Sequence, residues 1–458
     1  MKLLTFLVAL PAVTLALQPK AEYRDLPTLR KQDELEKRWV QKRYDFIPSV
    51  LKKHGYDAWI LSMREYAEDT AFRSLVSSTT TFSARRRTLF LFHTHPEVEN
   101  PLYLIDNTED LWHTLNKTLE RIDPKKIAVN IDENMSFSDG LHTGEGQLLL
   151  SKLGPKWASR TSSHRAIGVE VVAARVGGEE QLGMYKLMME NVWAMVAEGF
   201  SEKVVKAGET TAEDLEWWFR DVMRWRIGTG TWFPPSVSIY RSPSEPSVSE
   251  HPAMREGDML HVDIGITAMN MNTDTQHLGY ILRANETSPP VGLLKGLEAG
   301  NKLQDLVRNR MVPRRTGDGV LKDVRGDMDK KGLKGLIYSH PIGDYGHSAG
   351  ALIGMTNLQD SVPGGGQNTV LKNYWTSIEL SAETYVPEWG VDQLFPLEED
   401  VYWDNETEGF EWVFGRQTEF HLVKPKHKKS AGVALAEGKS GLVAAAARWM
   451  GLQVVRWV

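Results

Sequence analysis

The sequence predicts an α+β protein built from two domains. Three observations carry this. The chain has 458 residues, 41% of them hydrophobic and 25% charged. That is enough for two or three domains with a sizeable core. Its first half alternates short apolar runs with polar, helix-like stretches. Its second half is dominated by alternating, strand-like runs.

Met1-Lys2 precedes an apolar run, Leu3 to Leu17. A basic start before such a run reads as a secretory signal peptide, residues 1–17. The run falls short of the roughly 20 apolar residues of a comfortable membrane span, so no stable membrane insertion is expected after cleavage. Sequons at Asn116, Asn134, Asn285 and Asn405 fit a secreted glycoprotein. Residues 20–55 are polar and helix-like. Apolar runs at 58–61, 88–92, 102–105 and 127–131 follow as in a small α/β domain, assigned to residues 20–170. The stretch 151–165 reads as a polar connector. Residues 179–205 have helical apolar spacing. Thr210 is the expected cap of the next helix, with Glu213 and Asp214 in its first turn. Trp217, Trp218 and Trp225 on that helix are expected in the core.

From Trp232 the pattern is strand-rich. Glu256-Gly257-Asp258 is a turn before the run 259–266, and 269–272 is a turn before the run 273–282. A second domain is assigned to residues 178–425. Residues 426–458 shift to Ala, Gly and Val and read as a tail.

Composition narrows the chemistry. Basic residues number 54 and acidic ones 60, a net charge of −6, which argues against nucleic acid as a partner. There is no cysteine, so disulfides, thiolate metal sites and a cysteine nucleophile are ruled out. Any metal must be held by His, Asp and Glu.

Five positions stand out. Asp263 lies in HVDIGI, where a carboxylate in an apolar strand costs several kcal/mol unless paired or bound to a cation. Asp274 follows eleven residues later, and a hairpin would bring the two together. His340 begins HPIGDYGH, with His347 seven residues on. Glu379 lies in WTSIELS and Glu419 in RQTEFHLV. Each alone has a bland reading, as a hydrogen-bonded, solvent-facing or loop residue. Together, four carboxylates and an imidazole suit two divalent cations such as Mn²⁺, Co²⁺, Fe²⁺ or Zn²⁺.

The order Asp, Asp, His, Glu, Glu resembles the creatinase/aminopeptidase, or pita-bread, metallopeptidase family, in particular its Xaa-Pro aminopeptidase and prolidase members. EGDMLHVDIG resembles its turn-Gly-Asp-strand motif. His340 to His347, SIEL and QTEF resemble its later segments. The resemblance implies a pita-bread catalytic domain preceded by a smaller creatinase-type α/β domain. It implies that Asp263 chelates one metal, that Asp274 and Glu419 bridge the pair, and that His340 and Glu379 complete the coordination of the second metal. Two cations would lower the pKa of a shared water. Glu379 would move its proton toward the leaving amine, and His347 would hydrogen-bond the substrate. The implied protein is a secreted dinuclear aminopeptidase or dipeptidase acting on a peptide, with Mn²⁺ the first candidate metal. Relatives are often dimers or larger, so a homodimer is the oligomer expected.

The sequence also departs from the family. Leu380 stands where proline is usual, and Asp274-Thr275-Gln276-His277 replaces Asp-x-Thr-Arg. The usual histidine upstream of the first aspartate is missing from YRSPSEPSVSE; His251 stands only twelve residues before Asp263. Two alternatives therefore stay open: a catalytically impaired binding protein, and a non-peptidase amide hydrolase on the same fold.

Overall fold

The structure, a computed structural model, describes residues 18–424 except 247, 248 and 250. The signal-like segment 1–17 and the tail 426–458 lie outside the described residues. The long first helix α1 (Leu29–His54) begins at Thr28, whose hydroxyl accepts from the Lys31 amide. It ends at Gly55 with φ 70°, where Gly55 and Tyr56 donate back to Leu51 and Lys52 carbonyls. Glycine takes this left-handed position without a Cβ penalty. The helix buries Leu35, Trp39, Ile47, Val50 and Leu51.

The apolar runs of the first half then become strands: β1 (Ala58–Arg64), β2 (Arg87–His93), β3 (Leu102–Asp106), and, after α2 (Glu109–Ile122), β4 (Ile127–Val129). The stretch expected as a polar connector is instead helix α3 (Thr143–Ala158) and strand β5 (Thr161–Ser163). Its sparse apolar residues, Leu149, Leu153 and Trp157, recur at four-residue spacing and are all buried, so a single stripe suffices. These strands form one mixed sheet in the order β3-β2-β1-β4-β5. β1 is antiparallel to β2 and parallel to β4.

Helix α4 (Arg165–Ala173) leads to α5 (Glu179–Gly199) and α6 (Ala212–Val222). The cap of α6 is Thr211, one residue later than expected. Thr211 and Asp214 form a reciprocal capping box, which requires an acidic residue three positions after the cap. Trp217 and Trp225 are 55% and 79% exposed, so the expectation of a tryptophan core fails for both. Leu215 and Phe219, four residues apart, form the buried stripe, and Trp217 lies off it.

The second half builds one large sheet. Its strands are β6 (Ser236–Tyr240), β7 (Met259–Ile264) and, past the short ribbon of β8 (Thr267–Ala268) and β9 (Met271–Asn272), β10 (Thr275–Ile281). Helices α7 (Val291–Arg310) and α8 (Gly317–Lys331) come next. Then come β11 (Lys334–Ile337), β12 (His340–Ile342), β13 (Trp375–Val386), β14 (Val391–Asp404), β15 (Gly409–Trp412) and β16 (His421–Val423). The main strand order is β11-β13-β14-β10-β7-β6. β12 flanks β13, β15 flanks β14 and β16 flanks β10. Long strands β13 and β14 pair antiparallel from Trp375↔Tyr402 to Val386↔Val391. α7 packs on them through close contacts: Gly296 and Gly300 face Phe395 and Leu397.

Candidate metal centre

The hairpin expected between the two aspartates is present. β7 and β10 pair antiparallel, with Asp263 opposite Gln276 and Ile264 opposite Thr275. Asp274 immediately precedes β10. The connection turns at Met269 and Asn270, with φ 52° and 53°, the two left-handed residues of a tight hairpin turn. Gly265 is required where the chain leaves β7, because a Cβ there would lie 1.9 Å from the Thr273 carbonyl oxygen.

The other donors arrive on neighbouring strands. β12 supplies His340, opposite Ser377 on β13. Two residues along β13, Glu379 stands opposite Glu398 on β14, and Gln276 links the same level to β10. His340 Nε2 lies 3.2 Å from Glu398 Oε1, 3.6 Å from Asp274 Oδ2 and 3.8 Å from Glu379 Oε2. Two groups, Asp274–His340–Glu398 and Asp263–Glu379–Glu398, each have donor atoms within 4.8 Å of one another.

Asp263, Asp274, His340 and Glu379 are thus brought together as expected. Glu419 is not. It is exposed, in the irregular segment after β15, and its backbone N–H donates to Gln18 Oε1. The reason is register. β16 begins at His421 and runs beside residues 279–281, at the end of β10 remote from Asp274. The fifth position belongs to Glu398. It comes from the run Glu398-Glu399-Asp400, which strand alternation divides. Glu398 and Asp400 face the site, Asp400 accepting from the Asp274 amide at 3.0 Å and from Tyr185 Oη at 2.7 Å. Glu399 faces away, bound by Trp193 Nε1 and beside His277 Nε2 at 2.7 Å. The available signal was three acids directly after Phe395-Pro396-Leu397, where the middle of β14 becomes buried on both faces.

The electrostatics ask for positive charge. Burial, then the charge of Glu398, pushes Asp263 up to about 8, and the same two causes raise Asp274 and Glu379 well above the carboxylate range. Burial pulls His340 down, but its hydrogen bond to Glu398 and the charges of Glu398 and Glu379 outweigh this and raise it to about 9. Asp263 Oδ1 and Asp274 Oδ1 are buried with no hydrogen-bond partner. His340 Nδ1 lies 3.0 Å from the Pro341 carbonyl oxygen, which must accept, so Nδ1 carries a proton. A cation that took the place of the Nε2 proton would then meet an Nε2 lone pair turned into the cluster, the arrangement of a ligating histidine. Orphaned carboxylate oxygens, a hard donor set and this tautomer fit two divalent cations.

A cavity of about 390 Å³ opens onto the cluster. Asp263, His340 and Glu379 line its floor; Tyr338, His347, Leu352, Met355 and Thr356 line its walls. His347 stands at the exposed edge, its ring 4.6 Å from that of His340 and 5.2 Å from that of Trp232. Partial burial, then repulsion from His340, lowers it to about 4, so the ring is neutral at pH 7.

The loop that carries His340 and His347 is anchored from the first half of the chain. Asp344 is buried between Arg43 of α1 and Arg175, which follows α4. Arg43 also donates to the Ala174 carbonyl at 2.9 Å, and Arg175 to that of Ala173 at 3.0 Å.

No family model matches the sequence, and no curated protein matches it. Solved structures do match the fold. An X-Pro aminopeptidase from Thermotoga maritima is 16% identical, with a TM-score of 0.56 over 81% of this chain and 98% of its own. A Xaa-Pro dipeptidase from Bacillus anthracis is 13% identical, with a TM-score of 0.57 over 84% and 99%. A variant of Escherichia coli aminopeptidase P is 13% identical, with a TM-score of 0.51 over 82% and 94%. The chain therefore has the pita-bread aminopeptidase fold, with the smaller α/β half before it.

Proposed function

We propose that the protein is a metal-dependent peptidase that cleaves an N-terminal peptide bond, with Xaa-Pro peptides as the first substrates to test. One observation carries the reading: Asp263, Asp274, His340, Glu379 and Glu398 converge in one cluster, and three of them, Asp263, His340 and Glu379, line the cavity above it. Asp274, His340 and Glu398 would hold one cation, and Asp263, Glu379 and Glu398 the other. When bound, the cations supply an activated water and polarise the scissile carbonyl. Glu379, in the cavity floor and readily protonated, would take up a proton and return it to the leaving amine. His347, neutral and at the cavity edge, would hydrogen-bond the substrate. Leu352 and Met355 offer an apolar wall that suits a side chain such as proline.

The test is hydrolysis of Xaa-Pro dipeptides and longer peptides by purified protein with Mn²⁺, Co²⁺ or Zn²⁺. Metal-dependent turnover is expected. No turnover with any metal, beside an active control enzyme, would overturn the reading and favour a catalytically impaired binding protein. The replaced Thr-Arg pair and the missing upstream histidine are what support that second reading.

We also propose a secretory route. Its support is the basic-then-apolar start of the sequence, together with exposed sequon asparagines at Asn134, Asn285 and Asn405. Sequencing the N-terminus of exported protein tests it; a product retaining Met1 would reject cleavage.

A further inference from the structure

The four sequons differ in what surrounds them. Asn116 lies within α2, half-buried, and its Nδ2 donates to the Lys152 carbonyl of α3 at 2.9 Å. A sugar on that nitrogen would part the two helices. Asn134, Asn285 and Asn405 are exposed. The residues two positions before them are Asp132, Arg283 and Trp403. Only the last is aromatic. Asn405 opens the turn between β14 and β15, beyond the pair Asp404↔Gly409. Asp404 Oδ1 accepts from the amides of Glu406 and Thr407 at 2.8 Å each, which fixes the turn.

Asn405 also lines a cavity of about 290 Å³ that none of the cluster carboxylates or His340 reaches. Trp375, Tyr402 and Trp403 form its aromatic side, and Lys372, Asn373 and Glu179 its polar side. Lys372 Nζ stands 4.9 Å from the centre of the Trp403 ring, and Lys186 Nζ 4.6 Å from that of Tyr402. The ring faces thus already attract positive charge from the solvent side. A pyranose offers the same attraction in weaker form. The C–H bonds on its face carry partial positive charge, and hydroxyls surround its rim. Its face would lie on the rings, and its hydroxyls would meet Lys372, Asn373 and Glu179. We propose that Asn405 carries an N-linked sugar chain whose first sugar packs in this cavity against Trp403 and Tyr402.

The proposal rests on the secretory route given above. The donor is an oligosaccharide joined through a diphosphate to a lipid, met during export. Asn405 Nδ2 attacks C1 of its first sugar. The N–C1 bond forms, the C1–O bond to the diphosphate breaks, and the amide gives up one proton. The lipid diphosphate leaves with the electron pair.

The experiment is secretion of the full chain from a eukaryotic host, with peptide mass mapping of the exported protein. Asn405 is expected to be modified in most molecules and Asn116 to be bare. Hydroxyl-radical labelling of the folded protein then reads the seat. Trp403 and Tyr402 should be labelled less than in Asn405→Gln from the same host, which lacks the sugar but keeps both rings. Thr407→Ala removes the sequon while keeping Asn405 and should match Asn405→Gln, so either variant suffices. Trimming the chain to its first sugar with an endoglycosidase should preserve the protection. Exported protein with Asn405 bare would overturn the proposal and leave the secretory reading intact. So would a modified Asn405 with both rings labelled as in the variants. A chain retained in the cell with Met1 and no sugar would overturn both.

Discussion

At the scale of single residues, the site rests on which glutamate completes it. Glu398 is buried, accepts from Ser377 Oγ at 2.6 Å and lies 3.2 Å from His340. Glu419 is exposed and remote in register. Glu398→Gln should therefore lower Mn²⁺ affinity and peptidase activity by about a hundredfold or more, above the loss seen for outer hydrogen-bond partners of a metal site. Glu419→Gln should leave both unchanged. Titration and activity measurements on the two variants check this, and the reverse result would restore Glu419. The other four donors were legible because each sits in a short string with its own character: a carboxylate in an apolar strand, a histidine before a glycine-rich loop. Glu398 was hidden inside a run of three acids. One dimension of sequence does not say which of three neighbours a strand turns inward.

At the scale of elements, the segment from His340 to His347 is positioned by charge as well as by the pairing of β12 with β13. Asp344 is fully buried, and burial alone would raise it. The guanidinium groups of Arg175 and Arg43 overcome this and hold it at about 2. A carboxylate depressed in this way contributes stability that is complete above its unfolded pKa of about 3.9. That stability is lost as pH falls from about 4 through about 2. Asp344→Asn leaves two buried cations facing each other and should cost about 3–5 kcal/mol in urea unfolding at pH 7. It should also flatten the acid limb of the stability curve below pH 4; a variant with the same acid limb would remove Asp344 as its source. Helix α6 offers a simpler test. Thr211→Ala removes the capping box and should cost about 1 kcal/mol, read as a lower urea midpoint. The sequence located this cap to within one residue, since several threonines and acids lie together at 210–214. Trp217 and Trp225 are exposed against expectation, because the buried face of this segment is set by the four-residue spacing of Leu215 and Phe219, not by aromatic content.

At the scale of the whole molecule, the carboxylate–histidine cluster would act as a stability device once a cation filled it. Its carboxylates repel one another in a buried setting, and the shifts of Asp263, Asp274 and Glu379 are all upward. A cation bound only by the folded chain should stabilise it by about 2.7 kcal/mol at a hundred times its dissociation constant. Thermal unfolding with Mn²⁺ should thus occur at a higher temperature than with a chelator; identical curves would argue against a folded-state metal site. The pairing of the two halves matters here too. Arg43 comes from α1 and Asn270 from the site hairpin, and the latter exchanges hydrogen bonds of 2.8 Å with Arg73 in the first half. The first half therefore braces two loops of the half that carries the cluster.

The sequence by itself determined the α+β class, the hairpin that joins Asp263 to Asp274, and the donor chemistry, carboxylate and imidazole in the absence of any thiol. These follow from local pattern: period-two strands, turn residues and composition. Only the tertiary structure decided that Glu398 rather than Glu419 completes the cluster, that Gln276 stands among the donors, and that Arg43 and Arg175 hold the His340 loop. Each of these depends on strand register or on contact between residues more than a hundred positions apart, and neither is written in local periodicity. A register shift of one residue exchanges the two faces of a strand, so which of the three buried acids faces the site was settled by pairing with β10 and β13.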